Sequence, residues 1–224
     1  MQTISGYKNM QNSKGNTNFL RSGNGLKLVC VTNRRLCPEP FSVRMEKLAA
    51  ARPDAILLRE KDLSLSEYTL MAALCQKICQ AYHVPLILHT HLEAAKTLNS
   101  PFLHLPLPLL ARHSRELNSF LQIGTSVHSL TEAMEAQALG ATYLIAGHIF
   151  PTSCKENLPP RGLDFLEQIC SKVALPVLGI GGITPEQMPA LHQAKSAGAC
   201  VMSPMMIAPD PKALCALYRR HQLT

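Results

Sequence analysis

From residue 26 onward the chain repeats one pattern, a short apolar run followed by an amphipathic stretch. The runs are 26–32 (LKLVCVT), 55–59 (AILLR), 85–89 (PLILH), 102–105 (FLHL), 121–126 (LQIGTS), 142–147 (TYLIAG), 176–181 (PVLGIG) and 199–203 (ACVMS). Each is too short for a helix and is bounded by turn or helix-start signals, so each reads as a strand. Strict alternation of strand and helix requires parallel strands with covering helices. Eight such units fit a single-domain (β/α)8 TIM barrel better than the alternative, an open doubly wound sheet of six or seven strands. A length of 224 residues suffices for one barrel and is marginal for two. The chain has no Trp, so the core must be mainly aliphatic, as barrel interiors usually are.

The intervening stretches carry helix signals. In 66–82, Tyr68, Met71, Ala72, Cys75, Ile78, Cys79 and Tyr82 recur at helical spacing and form one apolar stripe. Ser64 with Glu67 reads as a capping box, and Ser129 with Glu132 repeats it before a helix that Gly140 closes. Thr184-Pro185 and Asp210-Pro211 each pair an N-cap with a proline at the first helical position. The segment 106–120 is ambiguous, because Pro106 and Pro108 are expected to delay its helix.

Composition narrows the function classes. Residues 1–25 are rich in Asn, Gly, Ser, Lys and Gln and lack the apolar core of a signal peptide. They are expected to form a flexible polar tail ahead of a barrel domain at 26–224. No apolar run approaches the length of a membrane span. The eight Cys contain no CxxC pair; with no secretion signal they imply reduced thiols and a cytoplasmic protein. A net charge of +7 reads either as a solvated basic surface or as attraction for an anionic substrate such as a phosphate ester. No basic cluster with interleaved aromatics is found, so nucleic acid is not an expected partner.

In such a barrel the chemistry lies on the loops after the strands. Gly181 and Gly182 follow the seventh strand and Ser203 ends the eighth, which is where these barrels usually hold phosphate. Glycines let backbone N–H groups approach an oxyanion, but the same pair could simply make a tight turn. His128, two residues past the fifth strand, has the side-chain type that both takes and gives a proton near neutral pH. The alternative is a His that caps a helix. Lys155 could hold a phosphate or carboxylate, or be solvated. Arg59 and Lys61 are weaker candidates for ligand contacts, since a structural ion pair with an acidic neighbour is the default at Arg59. His148 reads as structural. His89 and His91 have i, i+2 spacing with no evident third ligand, so no metal site is expected.

At these same loops the sequence resembles the thiamine phosphate synthase superfamily. The motifs are LREKD at 58–62, GHIFPTSCK at 147–155, RGLDFL at 161–166 and GIGGIT at 179–184, in order, in a resemblance running from about Leu26 to the C-terminus. It covers two activities. The synthase joins a pyrimidine diphosphate to a thiazole phosphate and uses Mg²⁺. Its metal-binding Asp after strand three aligns with Thr90 in His89-Thr90, and its second Asp after strand four falls in HLPLPL, where Leu109 stands. A Gln that helps hold the diphosphate is Leu57 here. Neither Thr90 nor Leu109 supplies the carboxylate a hard divalent cation needs. By contrast SVHSLTEA at 126–133, GHIF…CK at 147–155 and PRG at 160–162 resemble the thiazole tautomerase (TenI-like) subfamily, whose catalytic His falls on His128.

The resemblance therefore implies an isomerase that aromatises a thiazole carboxylate phosphate, with no cofactor or metal. It implies a small-molecule thiazole phosphate as ligand, thiazole synthase as the supplier of substrate, and a homo-oligomer. The alternatives are the synthase itself and a non-catalytic barrel that binds thiamine precursors and regulates a partner.

Overall fold

Each strand pairs in parallel with the next one in sequence, and the eighth returns to pair with the first. The strands are β1 (Lys27–Val31), β2 (Ala55–Leu58), β3 (Leu86–His89), β4 (Phe102–Pro106), β5 (Gln122–Val127), β6 (Tyr143–Gly147), β7 (Val177–Ile180) and β8 (Gly198–Val201). All eight coincide with the apolar runs, and the open-sheet alternative is excluded by the pairing of Val29 with both Ala55 and Cys200. The structure, a computed structural model, describes residues 19–20, 25–155 and 158–221.

The helices are α1 (Phe41–Ala50), α2 (Leu65–Ala81), α3 (Leu92–Thr97), α4 (Leu107–His113), α5 (Leu130–Ala138), α6 (Gly162–Lys172), α7 (Met188–Gln193), α8 (Ser203–Ile207) and α9 (Pro211–Arg220). The expected stripe of α2 faces inward: Tyr68, Ala72, Cys75 and Cys79 are buried, with Met71, Ile78 and Tyr82 packed beside them. Its capping box forms with both hydrogen bonds. A second reciprocal box links Thr184 and Gln187, and Asp210 accepts the Lys212 and Ala213 N–H groups. One expectation is corrected. Pro106 and Pro108 do not delay a helix: α4 begins at Leu107, with Pro106 as its N-cap and Pro108 in its first turn, where a missing N–H costs nothing. The rest of the ambiguous segment is a 3-10 helix, Ser114–Ser119. Among the described residues no helix is long and apolar enough to cross a membrane.

Side chains alternate along every strand, so two separate cores form. Leu28, Cys30, Ile56, Leu58, Leu88, Leu103 and Leu144 face the helices. Val29, Val31, Leu57, Ile87, Phe102, Tyr143, Ile145, Leu178 and Cys200 fill the barrel interior. Phe19 joins the interior from outside the strands. It is 2% exposed, and its ring meets those of Phe102 and Tyr143 edge-on at 6.1 and 5.8 Å. Phe102 and Tyr143 open β4 and β6, so Phe19 plugs the N-terminal end of the barrel. Within the stretch expected as a tail, this residue is packed; residues 1–18 and 21–24 lie outside those described.

Tyr143 needs room, and Gly124 provides it. A Cβ at Gly124 would lie 2.0 Å from Tyr143 Cζ. Above Tyr143 the interior turns polar. His104 Nδ1 lies 3.2 Å from Tyr143 Oη and its Nε2 lies 2.9 Å from Ser126 Oγ. His89 stacks on His104 at 5.6 Å, and its Nδ1 lies 2.6 Å from Thr90 Oγ1. Burial pushes His89 down to about 2, helped by His104, Arg59 and Lys61, and pushes His104 down to about 3, helped by Arg59. Both rings are neutral inside the barrel at physiological pH.

Two outcomes follow. Gly124→Ala drives a methyl into the Tyr143 ring and should destabilise the fold by about 1–3 kcal/mol, the cost of overpacking, read as a lower urea midpoint. The second concerns pH. In the unfolded chain both histidines take up a proton below about pH 6.5; in the folded chain they do not until about pH 3 and 2. Their neutral burial therefore favours folding above pH 6.5, and stability is lost as pH falls below it. The slope is about 1.4 kcal/mol per pH unit for each histidine. Urea unfolding between pH 7 and 5 should show a shallower loss in His104→Asn than in wild type.

Candidate active site

The residues that the sequence nominates lie just past the C-terminal ends of the strands. The inward row of β2, Ala55 and Leu57, continues to Arg59. Its charge reaches His89, His104 and Lys61. Arg59 and Lys155 together hold the Lys61 ammonium below its ordinary value, so three cations from two loops share the mouth. Glu60, the acidic residue next to Arg59, pairs with Arg34 of the β1 loop at 3.2 Å.

His128 lies between β5 and α5 with a side chain 43% exposed. Ser129 caps α5 as expected, accepting the Glu132 N–H at 3.1 Å. The Glu132 carboxylate does not close the reciprocal box on Ser129. It accepts the His128 N–H at 2.6 Å, and its Oε2 lies 3.3 Å from His128 Nδ1. An ionised carboxylate at Nδ1 favours the tautomer with the proton there, which leaves Nε2 as an acceptor. The N-cap of α5 is thus Ser129 and not His128, and Glu132 contacts the imidazole.

The β6 loop folds back on the β7 loop. Ile149 N–H donates to Ile180 O and Phe150 N–H to Gly181 O. His148 is buried, and its Nε2 lies 3.2 Å from Leu158 O, consistent with a structural reading. Gly181 and Gly182 both have positive φ, +99° and +66°. A Cβ on Gly182 would lie 2.2 Å from Pro151 O, and one on Gly181 would lie 2.3 Å from His148 Cβ. Close approach of the β6 loop therefore requires both glycines, whatever else their amides do. The same loop walls a cavity of about 700 Å³ with Pro151, Thr152, Lys155, Leu158 and Pro160. Ser203 is the first residue of α8, a short extra helix after β8 of the kind that closes phosphate sites in these barrels. A second cavity, of about 310 Å³, lies at the opposite end of the barrel against Phe19, Asp54 and Tyr82.

His89 and His91 do not converge. His89 faces the interior, while His91 packs on the Tyr68 ring at 4.3 Å. Thr90 Oγ1 is engaged by His89, and Leu109 packs against the apolar core. These two side chains do not fit a hard divalent cation, which requires carboxylate or carbonyl oxygens. Sequence reasoning gives no role to His104 or Tyr143. Counting alternate residues back from the mouth would have found them, since His104 shares the inward parity of Phe102.

Comparison with known proteins agrees with the fold and the motifs. Residues 28–205 match the family model described as thiamine monophosphate synthase. The chain is 34% identical over 192 residues to thiamine-phosphate synthase 2 of Streptococcus pneumoniae, covering 84% of this chain and 91% of that protein. It is 36% identical over 188 residues to the thiamine-phosphate synthase of Pyrococcus abyssi, covering 84% and 90%. Among solved structures it resembles thiamine phosphate pyrophosphorylase from Pyrococcus furiosus, with a TM-score of 0.73 and 30% identity over 88% of this chain and 96% of that one. The fold, the ordered loop motifs and these matches lead to one conclusion: the chain belongs to the thiamine monophosphate synthase family.

Proposed function

We propose that the chain is the thiazole tautomerase of this family, aromatising a thiazole carboxylate phosphate by proton transfer at His128. The observation that carries the reading is a contrast within one site. The positions that the synthase resemblance gives to metal-binding carboxylates hold Thr90 and Leu109, while His128 stands at the mouth with Glu132 at its Nδ1. Diphosphate departure calls for a cation to neutralise charge; a proton shift does not.

In this reading His128 Nε2 takes a proton from one carbon of the non-aromatic thiazole and returns it at a second position. No proton is gained or lost overall, and the ring becomes aromatic. Glu132 holds the ring and stabilises the imidazolium that forms between the two transfers. The amides of Gly181 and Gly182 with Ser203 bind the phosphate, and Lys155 holds the carboxylate. Arg59 and Lys61 add positive charge at the mouth.

A second reading, the synthase, is favoured by the names of the relatives, which are thiamine-phosphate synthases at 34–36% identity. It requires condensation of pyrimidine diphosphate with thiazole phosphate at millimolar Mg²⁺.

His128→Asn should slow aromatisation by roughly 10²–10⁴-fold, the usual contribution of general acid–base catalysis, with ligand affinity nearly unchanged. Absorbance of the aromatic product and a calorimetric titration of the same variant check this together. Full activity in the variant would remove His128 from the mechanism. Glu132→Gln should give a smaller loss, in kcat rather than KM, because the ring is retained but its cationic form is no longer stabilised. The wild type should bind phosphorylated thiazole more tightly than the dephosphorylated form; equal affinities would refute the phosphate site.

A further inference from the structure

The ends of β1 and β2 are joined by a buried latch. Thr32 Oγ1 accepts the Arg59 N–H at 3.0 Å and donates to Glu60 Oε1 at 2.7 Å. Both Glu60 oxygens accept the Arg34 N–H at 3.1 Å, and Oε2 also accepts Arg34 Nη1 at 3.2 Å. The Arg34 guanidinium then forks onto Asp62 at 2.6 and 2.7 Å, and Arg35 adds a contact of 2.7 Å to the same carboxylate. Glu60 is 2% exposed. Bidentate guanidinium–carboxylate pairs fix orientation as well as distance. The two acids that flank Lys61 are thus both drawn to the β1 loop.

Arg59 points the other way along the strand. It continues the interior row of Ala55 and Leu57, and its charge is felt by His89 and His104. The Arg59 charge also acts on Lys61, so the two side chains lie on the same side of the latch. We propose that Glu60 is a positioning residue: through Thr32 and Arg34 it fixes the end of β2 so that Arg59 and Lys61 face the anionic substrate. This rests on the reading of Arg59 and Lys61 as substrate contacts. A purely electrostatic role would have the opposite sign. A carboxylate beside a cationic mouth weakens anion binding, so neutralising it would tighten binding, whereas loss of positioning loosens it.

The test is a double-mutant cycle read by calorimetric titration with hydroxyethylthiazole phosphate. The proteins are wild type, Arg59→Gln, Glu60→Gln and the double variant. Arg59→Gln should weaken binding roughly tenfold, the size of one charge-assisted hydrogen bond. Glu60→Gln should weaken it by a similar factor even though it removes a negative charge. The double variant should be no worse than Arg59→Gln alone, because Glu60 acts through Arg59. Additive losses, or tighter binding by Glu60→Gln, would overturn the positioning role. Wild-type affinity in Arg59→Gln would instead sink the underlying reading of Arg59 as a contact, and the proposal with it. If Glu60→Gln does not fold, Thr32→Val replaces it in the cycle. It removes the hydroxyl that joins Arg59 to Glu60, and the same non-additivity is expected.

Discussion

The structure depends on closure of the parallel ladder, because closure fixes the parity of every strand. Once Val29 is paired with both Ala55 and Cys200, alternate residues of all eight strands are committed to the interior or to the helices. A one-residue slip would move His104 to the helix side and Leu103 into the interior, exchanging the two cores. The site inherits this constraint. His89 and His104 stand inside the barrel because Ile87 and Phe102 do, two residues earlier in β3 and β4.

The interior is graded along the barrel axis. Phe19, Phe102 and Tyr143 form an aromatic floor, aliphatic side chains fill the middle, and neutral histidines lead to a cationic rim. Tyr143 spans the grade, with its ring against Phe19 and its hydroxyl beside His104. The cationic side chains stay at the rim, where water can meet them, and the buried rings stay uncharged.

Much of this was legible in the sequence because it is local. Strand positions follow from short apolar runs, and the caps at Ser64, Thr184 and Asp210 follow from side chains that reach only two or three residues. Non-local matters were not legible. Spacing could not tell that Glu60 would reach back 26 residues to Arg34 rather than pair with Arg59, nor that the polar N-terminal stretch holds a Phe that plugs the barrel. Gly181 and Gly182 were visible as glycines, but the backbone that demands them belongs to the β6 loop, about thirty residues away. The place of His128 after a strand is legible in the sequence. Glu132 reads from the sequence only as a capping residue, because its contact with His128 depends on the turn between them.

The proposed function rests on the residue types at the mouth. Thr90 and Leu109 offer no carboxylate to a diphosphate-bound cation, and His128 has Glu132 3.3 Å from its Nδ1. The most direct measurement gives the wild-type protein both substrates side by side. One arm supplies the non-aromatic product of thiazole synthase; the other supplies pyrimidine diphosphate and thiazole phosphate with millimolar Mg²⁺. The account predicts aromatisation well above the spontaneous rate and negligible condensation. Condensation with Mg²⁺ and no acceleration of aromatisation would contradict it.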